Sequence, residues 1–115
     1  MDIVRGFLMV AESDRSLGEV INIGSNFEIS IGDTVNLIAE IMNTQIEIQT
    51  DDQRIRPDKS EVERLWADNT KARELTGWEP LYAMREGFKK GLAETVEWFT
   101  NPDNLRLYKA DIYNL

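Results

Sequence analysis

The sequence of this 115-residue chain predicts two short extended segments that flank an amphipathic helix in its first half. The β-branched run Glu19–Gly24 is typical of a buried strand that ends in a tight turn, and residues 46–50 alternate apolar and polar side chains. Between them, Ser30 and Asp33 match a capping box, which satisfies free N–H groups at a helix start and predicts a helix over about 31–43. Strand, helix and strand in this order indicate a right-handed βαβ unit with parallel strands.

Three further helices are expected. Residues 3–11 carry apolar side chains at helical spacing, and a second segment runs from Asp68 to Gly77, a residue suited to the left-handed turn that closes a helix. The longest helix is predicted over 82–100, where an apolar stripe recurs every four residues. The predicted fold class is therefore α/β, a small βαβ unit with two short parallel strands packed with three or four helices.

The composition excludes several classes of function. A formal charge of −8 opposes binding to nucleic acid or to an anionic membrane, because repulsion must be overcome before contact forms. The chain has no cysteine and no histidine, which removes thiolate nucleophiles, disulfides and zinc sites built from those side chains, so no metal site is expected. The N-terminus lacks the basic start and apolar run of a signal peptide, so a cytoplasmic location is predicted.

The pattern along the chain divides it into a domain and a tail. Residues 51–63 are polar and charged, which predicts a surface loop, and a loop of that length in a compact domain tends to be functional or disordered. No lead-in beyond Met1 and Asp2 precedes the first helix, which suggests a fragment of a longer protein. We predict one domain over 1–102 and an apolar tail over 103–115 that is either docked or self-associating.

Two separated motifs carry a family resemblance. The first is Gly-Glu-Val-Ile-Asn-Ile-Gly-Ser over 18–25, with Ser-Ile at the helix start at 30–31. The second has its parts at 56–57 (Arg-Pro), 60–62 (Ser-Glu-Val), 67–68 (Ala-Asp), 71–72 (Lys-Ala), 77–78 (Gly-Trp) and 97–99 (Glu-Trp-Phe). The chain resembles the C-terminal, substrate-binding part of extended short-chain dehydrogenases, namely NAD-dependent sugar-nucleotide epimerases and dehydratases of the 4,6-dehydratase type.

The resemblance implies that this chain corresponds to the substrate-binding part of such an enzyme and lacks the residues that catalyse the reaction. In such enzymes an N-terminal Rossmann domain carries the glycine-rich NAD loop and a Tyr-x-x-x-Lys pair, and the C-terminal part holds the nucleotide half of the substrate. Here the turn at 24–26 lacks the further glycines of the fingerprint, and no tyrosine has a lysine four residues later. No catalytic residue and no cofactor site are therefore expected in this chain, with NAD bound by the missing Rossmann domain of the parent enzyme.

Three residues are predicted by resemblance to bind a nucleotide-diphosphate sugar. Arg56 matches the family's pyrophosphate-binding arginine, whose guanidinium can donate two parallel hydrogen bonds to phosphate oxygens. Glu61 matches an acidic position that binds the nucleotide ribose, and Asn22 matches an amide that reaches the nucleotide. Each has a plain alternative: a solvated loop arginine, an ordinary acidic loop residue, and a strand-end amide that satisfies neighbouring backbone groups.

Other residues of the motifs are assigned structural roles. Arg54 is expected to be a solvated loop residue, although it could reach a second phosphate oxygen. Asp68 and Lys71 are interpreted as helix cap and helix surface. The tryptophans could form a stacking platform for a base, but their places at helix ends and on apolar stripes predict core positions. They are Trp66, Trp78 and Trp98.

The leading hypothesis is a nucleotide-sugar-binding fragment of a 4,6-dehydratase, inactive alone. The intact enzyme would oxidise the hexose at C4 with NAD, eliminate water across C5 and C6, and return the hydride at C6. The alternatives are an epimerase, which omits the elimination, a stand-alone non-catalytic binding module, and an acidic α/β domain of no inferable role. A homodimer is also expected, through the apolar face of the first helix or through the tail, since both would otherwise stay exposed.

Overall fold

The computed structural model describes residues 1–49 and 64–106, and these residues form helices joined by irregular segments. The elements in chain order are α1 (Asp2–Glu12), a single turn of 3-10 helix (Asp14–Ser16), α2 (Ile31–Ile41), α3 (Thr70–Thr76), α4 (Met84–Thr100) and α5 (Pro102–Leu105).

The predicted βαβ unit is wrong. Neither Glu19–Gly24 nor residues 46–49 forms a strand, and the described part of the chain contains no sheet. Val20 and Ile48 are 84% and 63% exposed, so these side chains do not enter a core there. A strand exists only where a second backbone lies alongside to exchange hydrogen bonds, and alternation along one segment says nothing about such a partner. The α/β class is therefore replaced by a helical one.

The helix predictions are confirmed, because they rest on local chemistry. The Ser30 hydroxyl accepts a hydrogen bond from the Asp33 backbone N–H at 2.9 Å, which caps α2. The Asp33 carboxylate accepts from that same hydroxyl at 2.7 Å, so it does not reach back to the backbone as in a full capping box. At the end of α3, Gly77 has a φ of +72° and donates its N–H to the Arg73 carbonyl at 2.8 Å.

Trp78 is the centre of the first helical group, which consists of α1, the 3-10 turn and α3. Its side chain is 1% exposed, and Ala72 of α3 is fully buried. The indole N–H donates to the Asp2 carbonyl at 3.2 Å, while the Ser13 hydroxyl donates to the Leu75 carbonyl at 2.9 Å. Both polar contacts join α1 to the chain around α3 without leaving a buried donor unpaired.

The second helical group packs α2 against α4, with α5 folded back on the end of α4. Leu37 of α2 is 2% exposed, and the rings of Phe27 and Phe88 lie 6.0 Å apart between centroids at a tilt of 48°. At the surface of the same contact, the Lys89 ammonium lies 2.6 Å from the Glu40 carboxylate. This ion pair lowers the pKa of Glu40, chiefly through the hydrogen bond from Lys89.

The Asp2 carboxylate joins the first helical group to the segment that leads into α4. It accepts hydrogen bonds from the backbone N–H groups of Leu81 at 3.0 Å and Tyr82 at 2.9 Å. Tyr82 then packs closely on α4, because a Cβ on Gly87 would lie 2.5 Å from the Tyr82 carbonyl carbon. A glycine is therefore required where the chain turns onto α4.

The apolar face of α1 is uncovered. Ile3, Phe7 and Leu8 are 48%, 68% and 59% exposed, whereas Val10 is half-buried. Of the predicted apolar tail over 103–115, residues 103–105 belong to α5, and the part beyond position 106 lies outside the described residues. None of the helices within 1–49 and 64–106 is long and apolar enough to cross a membrane.

Candidate functional site

Two segments that are distant in sequence, one before and one after positions 50–63 along the chain, come together. We call residues 24–28 the Asn26 turn and residues 64–69 the arm. The Trp66 indole N–H of the arm donates to the Asn26 side-chain oxygen at 2.7 Å. The Asn69 side-chain amide donates to the Gly24 carbonyl at 2.9 Å. The arm is thus tied to the turn at two points along its length.

The two segments also pack closely at Gly24, which lies against the Ala67 side chain. A Cβ added at Gly24 would lie 2.7 Å from the Cβ of Ala67, closer than real Cβ contacts allow. Because Gly24 has no side chain, the arm can lie directly on the turn. The glycine of the first motif and the alanine of the second are therefore packing partners, which explains why both residues must be small.

Asn26 holds an uncommon backbone conformation. Its φ is +52°, in the left-handed region that non-glycine residues seldom occupy and that asparagine tolerates better than most. The adjacent Ser25 hydroxyl donates to the Phe27 carbonyl at 3.3 Å within the same turn. The conformation points the Asn26 side-chain oxygen at the Trp66 indole.

A bidentate ion pair anchors the other end of the arm. Both the Nε and the Nη2 of Arg64 donate to the Glu28 carboxylate, the first at 2.9 Å. This parallel arrangement fixes direction as well as distance. The hydrogen bond from Arg64 is the largest cause of the lowered pKa of the Glu28 carboxyl, and the same bond raises the pKa of Arg64. Both side chains face solvent, so the pair orients the arm more than it stabilises the fold.

The predicted binding residues are placed only in part. Asn22 lies just before the Asn26 turn and is exposed, and its amide makes no hydrogen bond to any residue in the described ranges. It does not satisfy neighbouring backbone groups there, as the plain alternative supposed. Arg56, Glu61 and the weighed alternative Arg54 lie outside the described residues. The arm begins at position 64, three residues after Glu61.

The prediction that the three tryptophans occupy core positions is confirmed for one of them and wrong for two. Trp78 is in the core as expected, but Trp66 is 64% exposed and Trp98 is 46% exposed, so the core interpretation is wrong for these two. The sequence around Trp66 contained a signal: it follows a charged segment and lies on no apolar stripe. The surface role of Lys71 is confirmed, since its ammonium pairs with Glu19. Asp68 lies one residue before the N-cap residue Asn69, and its carboxylate accepts from the Thr70 N–H at 2.9 Å at the start of α3.

Gly24 and Tyr82 do not have the surroundings of a dinucleotide-binding loop and of a catalytic tyrosine. The space at Gly24 is filled by Ala67, so the turn cannot receive a pyrophosphate in the manner of a glycine-rich loop. The Tyr82 hydroxyl donates to the Glu94 carboxylate at 2.6 Å, which is the main cause of a raised pKa and makes the phenol a weaker acid. The Lys90 ammonium lies 5.7 Å from the centre of the Tyr82 ring, above its face. Within the described ranges no three acidic side chains are placed to hold a metal ion.

A separate cleft of about 590 Å³ lies along α4. Aromatic side chains dominate its lining, and it shares no lining residue with the Asn26 turn or the arm; among its residues are Tyr82, Phe88, Leu92, Trp98 and Phe99. Two of its polar groups, the Tyr82 hydroxyl and the Glu94 carboxylate, bond each other. The Asn26 turn and the arm are therefore a separate part of the described surface.

Comparison with known proteins supports the family resemblance. The family model described as GDP-mannose 4,6 dehydratase matches residues 1–91. UDP-glucuronate 4-epimerase of Thermodesulfobacterium geofontis is 35% identical over 95% of the chain, and UDP-glucose 4-epimerase of Mycolicibacterium smegmatis is 32% identical over 87%. UDP-glucuronic acid decarboxylase 5 of Arabidopsis thaliana is 34% identical over 75% of the chain.

The matches cover only a part of each relative. The chain spans 30% of the length of the first epimerase, 29% of the second and 24% of the decarboxylase. No solved structure matches the chain significantly.

Proposed function

Because the chain belongs to the family of NAD-dependent sugar-nucleotide epimerases and dehydratases, we propose that it binds the nucleotide half of a nucleotide-diphosphate sugar. The observation that carries the proposal is the fixed arm. Arg64 and Trp66 hold it on the Asn26 turn through side-chain contacts, and the segment that contains Arg56 and Glu61 leads directly into it. Side-chain contacts of this kind hold the arm in one orientation before a ligand arrives, so that less conformational entropy is lost on binding.

Each binding residue has a role that suits its chemistry. Arg56 would pair with the pyrophosphate, which a chain of formal charge −8 otherwise repels, so a guanidinium contact is needed there. Glu61 would accept hydrogen bonds from the ribose hydroxyls. The exposed Asn22 amide, with both a donor and an acceptor to offer, would complete the nucleotide contacts.

The reaction that we propose for the intact enzyme is a 4,6-dehydration, with an epimerisation as the second candidate. The matching family model is described by the first reaction, while two of the similar relatives are named for the second. Both reactions would use NAD, for which neither Gly24, whose space is filled by Ala67, nor Tyr82, whose hydroxyl bonds Glu94, is suited as a binding residue. The chain alone would then bind the substrate without converting it.

Calorimetric titration with UDP and GDP tests the binding proposal. We expect the Arg56→Ala variant to lose about 1.5–3 kcal/mol of binding free energy, the usual contribution of a hydrogen bond to a charged group. Arg54→Ala is the matched control and should bind almost as the original chain does. In the intact enzyme, Arg56→Ala should raise KM more than it lowers kcat, since the contact is remote from C4. Absence of binding to both nucleotides would reject the proposal, and a collapse of kcat with unchanged affinity would make Arg56 catalytic.

A titration with NAD tests the proposal that this chain does not bind the cofactor. The chain should show no binding at micromolar concentrations, because the turn at Gly24 is filled by its own arm. A micromolar dissociation constant for NAD would contradict this assignment.

Self-association through α1 is also proposed. The exposed face that contains Phe7 and Leu8 offers apolar area whose burial contributes about 25 cal/mol per Å² before the entropy of association is subtracted. Light scattering should then detect a dimer at high micromolar concentration. If the chain is instead a monomer at this concentration, and its light scattering is unchanged by deletion of residues 103–115 and by Phe7→Glu, neither the tail nor the α1 face forms a dimer interface.

A further inference from the structure

Trp66 combines two properties that seldom occur together in a folded protein. Its side chain is 64% exposed, although an aromatic ring of this size is usually used to fill a core. At the same time it is held in place, because the indole N–H is bonded to Asn26 at 2.7 Å. An indole that served only to stabilise the fold would be expected to bury its faces.

The backbone on both sides of Trp66 is anchored independently. On one side Arg64 is held by the Glu28 carboxylate through two hydrogen bonds. On the other side Ala67 lies against Gly24, and the Asn69 amide bonds the Gly24 carbonyl. The ring therefore cannot turn inward without breaking contacts at three neighbouring positions.

The partner of the indole explains how the exposed ring is held. Asn26 adopts a left-handed conformation with φ at +52°, which asparagine tolerates better than most residues. In this turn the side-chain oxygen of Asn26 accepts the hydrogen bond from the indole N–H. The exposed ring is therefore fixed by its own side chain as well as by its neighbours along the arm.

We propose that the exposed face of Trp66 stacks on a ring of the bound nucleotide sugar. This inference rests on the proposed function and deepens it, because it adds an apolar contact to the polar contacts already proposed. Stacking needs a ring that is flat, accessible and held in one orientation, and a fixed indole meets these conditions without further loss of side-chain entropy. The stacked ring is the nucleobase or the hexose, which nucleotides with and without the sugar distinguish.

The experiment uses the complete chain labelled with 5-fluorotryptophan. Its three tryptophans give three fluorine resonances, and Trp66→Phe identifies the one from Trp66. UDP and GDP are titrated first, then UDP-glucuronate and GDP-mannose. We expect the Trp66 resonance to shift on binding, and the Trp98 resonance to stay. A shift with the free nucleotide assigns the contact to the base, and a shift only with the sugar conjugate assigns it to the hexose.

Calorimetry on variants is the second experiment. Trp66→Ala should weaken binding roughly 5- to 100-fold, which corresponds to the usual contribution of a base stacked on an aromatic ring. Trp66→Phe, which keeps a flat ring, should weaken binding less. Trp98→Ala is the matched control, since Trp98 is also partly exposed but lies on α4, and it should leave the affinity unchanged.

The outcomes separate this inference from the proposed function. Binding that depends on Arg56 but is unaffected by Trp66→Ala, with a stationary Trp66 resonance, overturns the stacking role and leaves the proposed function intact. Absence of binding to all four compounds rejects both. The resonance of the buried Trp78 reports whether each variant is folded, so a loss of affinity in an unfolded chain is recognised.

Discussion

Trp78 and Trp66 are the same residue type with the same polar atom satisfied, yet their surroundings differ. Trp78 donates its indole N–H to the Asp2 carbonyl and is 1% exposed, whereas Trp66 donates to the Asn26 side chain and is 64% exposed. The hydrogen bond alone therefore does not distinguish a core residue from a surface residue. The difference lies in how many apolar neighbours the ring has, which decides whether it stabilises the fold or stays available to a ligand.

The largest effect that tests this comparison is the loss of each indole. Trp78→Ala removes a fully packed ring and should lower the free energy of unfolding by about 3–5 kcal/mol. Trp66→Ala should lower it by less than about 1 kcal/mol, since surface substitutions have small effects. Urea unfolding followed by circular dichroism measures both. Equal losses in the two variants would mean that the arm, too, belongs to the core.

The second effect concerns the polar anchor beside Trp78. Asp2→Ala removes the carboxylate that accepts the N–H groups of Leu81 and Tyr82, and should cost about 1.5–3 kcal/mol, as hydrogen bonds to charged groups do. Asp14→Ala, which alters an exposed carboxylate in the 3-10 turn, is the control and should change stability little. If both variants unfold at the same urea concentration, the Asp2 contacts do not contribute to the Trp78 region.

The third effect tests the contact beneath Trp66. Gly24→Ala places a methyl group 2.7 Å from the Cβ of Ala67 and should cost about 1–3 kcal/mol, the range for overpacking. Adding Ala67→Gly should restore much of the loss, because it removes the clashing atom. Gly32→Ala is the control: the nearest atom is 3.9 Å away, and alanine is the better helix former. Thermal unfolding of the single and double variants is the measurement, and absence of rescue would place the strain elsewhere.

The smallest effect comes from the ion pair of the arm and depends on pH. Arg64 lowers the pKa of Glu28 from its ordinary value of 4.5, so the pair contributes stability above that pH and loses it as the pH falls through the lowered pKa. Glu28→Gln should therefore differ slightly from the original chain at pH 7 and not at all below the folded pKa. Thermal melts between pH 7 and pH 2 test this. A difference in thermal stability between the two chains that grows as the pH falls would contradict the expected direction of the pH dependence.

The resemblance of the two motifs to the family led us to predict Asn22, Arg56 and Glu61 as nucleotide contacts. These three assignments stay predictions. The structure places Asn22 at the surface beside the Asn26 turn. Nothing in the sequence indicated that Asn26 would hold Trp66, because those residues are 40 positions apart and neither has a distinctive neighbour pattern.

What the sequence by itself determined is local: the cap at Ser30, the left-handed glycine at the end of α3, and the apolar spacing of the helices. These features need only residues within a few positions of one another, so composition and spacing determine them. The tertiary structure decided the rest: that Glu19–Gly24 forms no strand within the described chain, that Trp78 is buried and that Trp66 is exposed. Pairing and burial depend on atoms brought together from distant positions, and an apolar side chain is the same in sequence whether or not a neighbour covers it.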